Sequence, residues 1–198
     1  MSMKVIGLTG GIACGKSTAS AYLKELGACI VDTDGISRAT TKKGGKGYYA
    51  VIAHFGEHLL TAEGEIDRRR LGSIVFSDES KRRELNALIH PIVIEESKEQ
   101  METARQAGYA VCILDVPLLF ESGMETLCDE TWLVYVPRAE QIRRIGERDG
   151  LDEAAAAARI DSQMPLEEKL RRADIAIDTS GSIEDTQRKL KALWEERI

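Results

Sequence analysis

Residues 7–19 read GLTGGIACGKSTA. The stretch leaves an apolar run at 4–9 and turns through Gly10, Gly11 and Gly15. It then enters a segment at 16–26 whose apolar residues Ala19, Tyr22, Leu23 and Leu26 recur at helical spacing until Gly27 stops it. Gly10 to Ser17 fits G-x-x-x-x-G-K-[ST] without mismatch, between a strand and a helix, the context in which that pattern carries meaning. Glycines let backbone N–H groups turn inward around phosphate oxygens, beside the positive end of the helix that follows. The expectation is a nucleoside triphosphate site in which Lys16 reaches the β- and γ-phosphates and the Ser17 hydroxyl ligates Mg²⁺.

Outward from this loop, further short apolar runs at 29–34, 110–116, 131–136 and 173–178 read as strands. Continuous runs of this kind, rich in Val and Ile, suit a parallel sheet covered on both faces. Helical spacing returns at 93–107 and 184–196. The predicted fold is therefore α/β: a P-loop NTPase three-layer sandwich with a five-stranded parallel sheet. About eighty residues lie between the second and third strands, far more than one crossover helix needs. The predicted organisation is one domain with a core at 1–34, 108–137 and 173–198, an inserted helical substrate subdomain at 35–107 and a helical lid at 138–172. The lid reads as two helices joined near Gly150.

The 198 residues, 43% hydrophobic and 30% charged, have the balance of an ordinary globular protein. A net charge of −6 argues against nucleic acid or an anionic membrane as partner. The N-terminal stretch holds no apolar run of signal-peptide length, and none elsewhere approaches a membrane span. Cys14, Cys29, Cys112 and Cys128 form no C-x-x-C pair and read as free thiols. A cytoplasmic protein, monomeric or weakly homo-oligomeric, is expected.

What receives the phosphoryl group is the next question. The D-x-x-G and N-K-x-D motifs of switch GTPases are absent. The second strand instead ends in VDTDGISR, which puts Asp32 and Asp34 at the sheet edge where ligands bind. Asp34 is the candidate to deprotonate an attacking hydroxyl, with capping as the alternative for both acids. Asp115 resembles the acidic strand end that orients Mg²⁺. Pro117, Leu118, Leu119 and Phe120 form either a wall at that edge or a strand exit with a core patch. Arg138, Arg143, Arg144, Arg148, Arg159 and Lys169 make the lid basic, and Arg144 and Arg148 share a helical face. They close over the triphosphate or form a solvated basic face. Cys14 reads as a small residue facing away from the loop rather than as a reactive thiol. His54 and His58 have i,i+4 spacing without a third ligand and read as surface residues. His90 precedes Pro91, where a helix should break.

The stretches GLTGGIACGKST, VDTDGISR, GEIDRRRLGSIVFSD, LNALIHPIV, DVPLLFESG, RIDSQMPLEEK and ADIAIDTSG, in this order over nearly the whole chain, resemble the dephospho-coenzyme A kinases. The resemblance implies ATP-dependent phosphorylation of the ribose 3′-hydroxyl of dephospho-coenzyme A, with Mg²⁺, in the last step of coenzyme A synthesis. It implies that Ala13, Cys14, Gly15, Lys16, Ser17 and Thr18 bind the ATP phosphates. Asp34 becomes the base or hydroxyl-orienting group, and Arg144 and Arg148 belong to the lid over ATP. Asp34, Arg68, His90, Pro117 and Leu118 would hold the acceptor, and Lys16, Asp34 and Arg144 carry the chemistry. Thr179 stands where the family often has Asn, at the border of the adenine site. Two rivals remain: a nucleotide or sugar-acid kinase on the same fold, and a nucleotide switch or ATPase acting through a partner.

Overall fold

The computed structural model describes residues 3–198, and of Phe76 only its backbone. The strands are β1 (Lys4–Gly10), β2 (Cys29–Asp32), β3 (Val111–Asp115), β4 (Glu130–Tyr135) and β5 (Ile175–Asp178). They form one sheet in the order β2-β3-β1-β4-β5, with β1 parallel to β3 and β4, and β4 parallel to β5. The predicted α/β sandwich is the fold observed.

The chain divides into two compact units, residues 1–31 with 101–198, and residues 32–100. In the first, alternate strand residues face opposite sides of the sheet. Ile6, Leu8, Val111, Ile113, Trp132, Val134 and Ile177 pack with Ala19 and Leu23 of α1 (Lys16–Glu25) and Leu190 of α9 (Ile183–Arg197). On the other side, a side chain at Gly7 would run into Leu119 and Cys128, so that glycine lets the segment after β3 lie close on β1. Gly10 is tighter: a Cβ there would meet Val134 Cγ2 at 2.7 Å and the Val134 carbonyl oxygen at 2.8 Å. The first glycine of the phosphate motif is thus required by the β1–β4 pairing, in which Gly10 is opposite Val134.

Residues 138–172 depart from the two helices predicted for them. They hold three: α6 (Arg138–Asp149), α7 (Glu153–Asp161) and α8 (Leu166–Arg172). Gly150, at φ 68°, ends α6 as expected, and Asp152 caps α7 by accepting from Ala155 N. The further break comes at 162–165, where Pro165 cannot continue α7 but suits the residue before a new helix.

The second unit contains α2 (Thr33–Thr40), α3 (Lys46–Phe55), α4 (Arg68–Ser77) and most of α5 (Glu79–Gln106). Two expectations fail here. Strand β2 stops at Asp32, and Thr33 and Asp34 begin α2, because the Asp32 carboxylate accepts from Asp34 N at 3.0 Å and caps the helix. Helix α5 also runs straight through Pro91. Pro91 removes one donor for the Ala87 carbonyl, a cost of about 3 kcal/mol in an isolated helix. The buried stripe Ile89, Val93, Ser97, Met101 and Ala104, spaced at three or four residues across the proline, offsets it. His54 and His58 do not share a helix, since Gly56 (φ 97°) ends α3 between them, and His54 Nε2 lies 2.8 Å from Glu84.

Candidate active site

The phosphate loop runs from the end of β1 to the start of α1. Gly15 (φ 77°) is the residue before the helix, and Ala13 has φ 61°, among the described residues the only non-glycine with positive φ. An L-residue in this region is strained by about 1–2 kcal/mol, so the surroundings must hold it. Four side chains do. Arg144 Nη1 donates to Ala13 O at 3.4 Å, and Gln141 Nε2 donates to Ile12 O at 2.9 Å. Gln163 Oε1 accepts from Ile12 N at 3.3 Å. Thr179 Oγ1 lies 2.8 Å from Cys14 O and 3.0 Å from Tyr135 O.

Lys16, the first residue of α1, ion-pairs with Asp115 at the end of β3, and both side chains are largely buried. The register of β1 on β3, with Leu8 opposite Asp115, fixes this meeting. Ser17 follows on the exposed side of the helix start. Lys16 and the buried Asp115 carboxylate thus meet at the end of β3, with Ser17 the next residue of α1.

Arg144 and Arg148 separate. Arg144 is half-buried, with Nε 2.6 Å from Glu140 Oε1 and Nη2 2.9 Å from Thr179 O. Arg143 and then Arg144 hold the Glu140 carboxyl down to about 2. Arg148 turns instead onto Asp149, at 2.8 and 3.0 Å, where Arg159 also binds at 2.8 Å. Arg138 is paired with Asp161 and Arg143 with Glu140 and Glu147. A cavity of about 530 Å³ lies between Gly11, Gln141, Ile160, Gln163, Met164 and Lys169.

Other predicted residues are placed as follows. Cys14 is buried, and burial pushes its thiol up despite the nearby backbone N–H groups. Thr179 is buried with its hydroxyl turned onto backbone carbonyls, so it braces the loop. Leu119 and Phe120 are buried in the core, and of the expected apolar wall only Leu118 is well exposed. Pro117 contributes its carbonyl oxygen, which accepts from Thr9 Oγ1 at 3.1 Å. In the second unit, Asp34 is exposed on the first turn of α2. Arg68 donates to Arg38 O and Thr41 Oγ1, and burial pushes the His90 imidazole below its ordinary value.

Two residues that touch the phosphate loop escaped the sequence reading: Gln141 and Gln163. Gln141 alone left a local trace, lying three residues before Arg144 on the same face of α6.

Residues 4–185 match the family model described as dephospho-CoA kinase. A dephospho-CoA kinase of Carboxydothermus hydrogenoformans is 46% identical over 193 residues, 98% of this chain and 94% of that protein. The crystal structure of a Thermus thermophilus protein, 34% identical, superposes over all of both chains with a TM-score of 0.82. The dephospho-CoA kinase of Campylobacter jejuni, 30% identical, covers 98% of this chain and 97% of its own, with a TM-score of 0.66. The braced glycine loop, the lysine–carboxylate pair at the sheet edge and this similarity over almost the full length lead to one assignment: the chain belongs to the dephospho-CoA kinase family.

Proposed function

We propose that this protein transfers the γ-phosphoryl group of ATP to the ribose 3′-hydroxyl of dephospho-coenzyme A, giving coenzyme A and ADP. The observation that carries this reading is the phosphate loop held in a strained form beside the Lys16–Asp115 pair, in a chain of this family. Phosphoryl transfer asks a protein for alignment and charge neutralisation more than for covalent chemistry. Lys16 supplies a positive charge at the loop, the N–H groups of residues 13–18 bind phosphate oxygens, and Arg144 adds a guanidinium already anchored at Ala13 O.

Ser17 and Asp115 are hard oxygen donors of the kind Mg²⁺ takes from proteins when the phosphates and water complete its shell. When bound there, the ion neutralises phosphate charge. Asp34 is assigned the orientation and deprotonation of the acceptor hydroxyl. Its exposed place on the first turn of α2, behind the capping Asp32, supports this. Residues 35–107, with Arg68 and His90, are assigned to the acceptor, joined by Pro117 and Leu118. Residues 138–172 are assigned the lid, with Arg148 reaching ATP after leaving Asp149.

Among the described residues no helix is long and apolar enough to cross a membrane, and all four cysteines are free. Free thiols and a net charge of −6 support a cytoplasmic enzyme, monomeric or weakly homo-oligomeric, that works on small molecules without nucleic acid.

The test is product analysis by chromatography, with Mg²⁺-ATP and dephospho-coenzyme A, AMP, CMP or gluconate as acceptor. Coenzyme A formed only from dephospho-coenzyme A supports the reading. Turnover of a nucleotide or sugar acid instead would refute it.

A further inference from the structure

Lys169 in α8 is 1% exposed, although a lysine is rarely so buried without a partner. Its Nζ lies 2.9 Å from Glu121 Oε1 and donates to Pro117 O at 3.4 Å, the carbonyl that Thr9 also reaches from the end of β1. Glu121 Oε1 in turn accepts from Met164 N at 3.0 Å. Met164 follows Gln163, whose Oε1 accepts from Ile12 N in the phosphate loop. A connected series of polar contacts therefore leads from α8 through the segment after β3 to residues 162–165 and into the loop.

We propose that Lys169 and Glu121 are positioning residues for the phosphoryl transfer, holding residues 162–165 so that Gln163 stays seated on the Ile12 peptide of the phosphate loop. One oxygen of Glu121 serves both the Lys169 ammonium and the Met164 N–H, so a shift of either partner moves the other. The two ends of the contact are 48 residues apart in sequence, and only the fold brings them together. Reacting groups displaced by about 1 Å cost about a hundredfold in rate, so small movements of the loop are felt at the γ-phosphate. The inference rests on the kinase reading above.

The test compares Lys169→Met, which keeps the stem but removes the charge, Glu121→Gln and the double variant, each assayed well below its melting temperature. The expected result is a fall in kcat/KM for ATP of about tenfold or more for Lys169→Met, with KM for dephospho-coenzyme A changed less than twofold. The double variant should fall no further than the worse single one, because the pair acts as a unit. A purely stabilising pair would lower the melting temperature and leave both constants unchanged, and that result would overturn the proposal. Should Lys169→Met not fold, Gln163→Ala removes the far end of the contact series without touching the Lys169–Glu121 pair. It should show the same ATP-side loss with its melting temperature retained, and wild-type kinetics there would equally overturn the proposal. Binding of a fluorescent ATP analogue without acceptor reads the same effect. Wild-type protein inert toward dephospho-coenzyme A would sink the kinase reading, while weaker analogue binding by the variants would still support the positioning role.

Discussion

The Thr179 hydroxyl sits 2.8 Å from the carbonyl oxygen of Cys14, which precedes it by 165 residues. The contact ties the turn after β5 to the phosphate loop, one residue before Gly15 and two before Lys16. It also gives Thr179 a role in shaping the loop. Thr179→Val keeps the volume and removes the hydroxyl that donates to Cys14 O. The variant should lose about 1 kcal/mol of stability and bind ATP more weakly, whereas Thr179→Ser should retain both. Chemical denaturation and the KM for ATP measure these effects. A valine variant with wild-type ATP affinity would remove Thr179 from the loop's support.

The Arg144 guanidinium is steadied by Glu140, whose carboxyl is held at about 2, first by Arg143 and then by Arg144. The folded value lies below the ordinary one, so this contribution is complete above about pH 4.5 and is lost as pH falls toward 2. Thermal unfolding of the wild type and Glu140→Gln should differ most at neutral pH and converge as pH drops from 5 to 3. A constant difference across that range would mean that the pairing contributes nothing to stability.

Cys14 lies where the loop's N–H groups and Arg144 draw the thiol down, yet burial dominates and raises it. Cys112 and Cys128 are pushed up to about 12, in both cases chiefly by burial. At pH 8 the native protein should resist alkylation at Cys14, Cys112 and Cys128 on a timescale that labels all of them in urea. Site-resolved mass spectrometry decides the matter, and rapid native labelling at Cys14 would restore the reactive-thiol reading.

Asp34→Asn removes the carboxylate assigned to the acceptor hydroxyl and changes no residue of the phosphate loop. The expected loss in kcat is about a hundredfold or more, with ATP still bound, as general-base catalysis by a positioned carboxylate implies. Near-normal turnover would take Asp34 out of that role.

The phosphate loop was legible because its function demands a local order of residues: glycines for the turn, then lysine and serine at a helix start. The strands were legible for a related reason, since burial on both faces writes itself as short apolar runs. Asp34 was misplaced by two residues, because a capping aspartate and a strand-end aspartate look alike until the Asp32 carboxylate is seen on Asp34 N. At Pro91 the residue type points to a helix break, and only the burial of Ile89 and Val93 on either side shows that packing carries α5 past it. Lys169 read as one more cation in a basic lid. Its burial depends on Glu121 and Pro117, distant in sequence, and no periodicity within 166–172 marks it. The arginines of α6 show the same limit: spacing puts Arg144 and Arg148 on one face, but Asp149 beside Arg148 decides where that guanidinium rests.

The central claim, transfer to a hydroxyl and not to water, is tested most directly by measuring ADP and coenzyme A together, with and without dephospho-coenzyme A. The account predicts that acceptor raises ADP release by about two orders of magnitude and that the two products appear in equal amounts, since the site must favour a bound hydroxyl over water. ADP release at the same rate with and without acceptor would contradict it and describe an ATPase built on this fold.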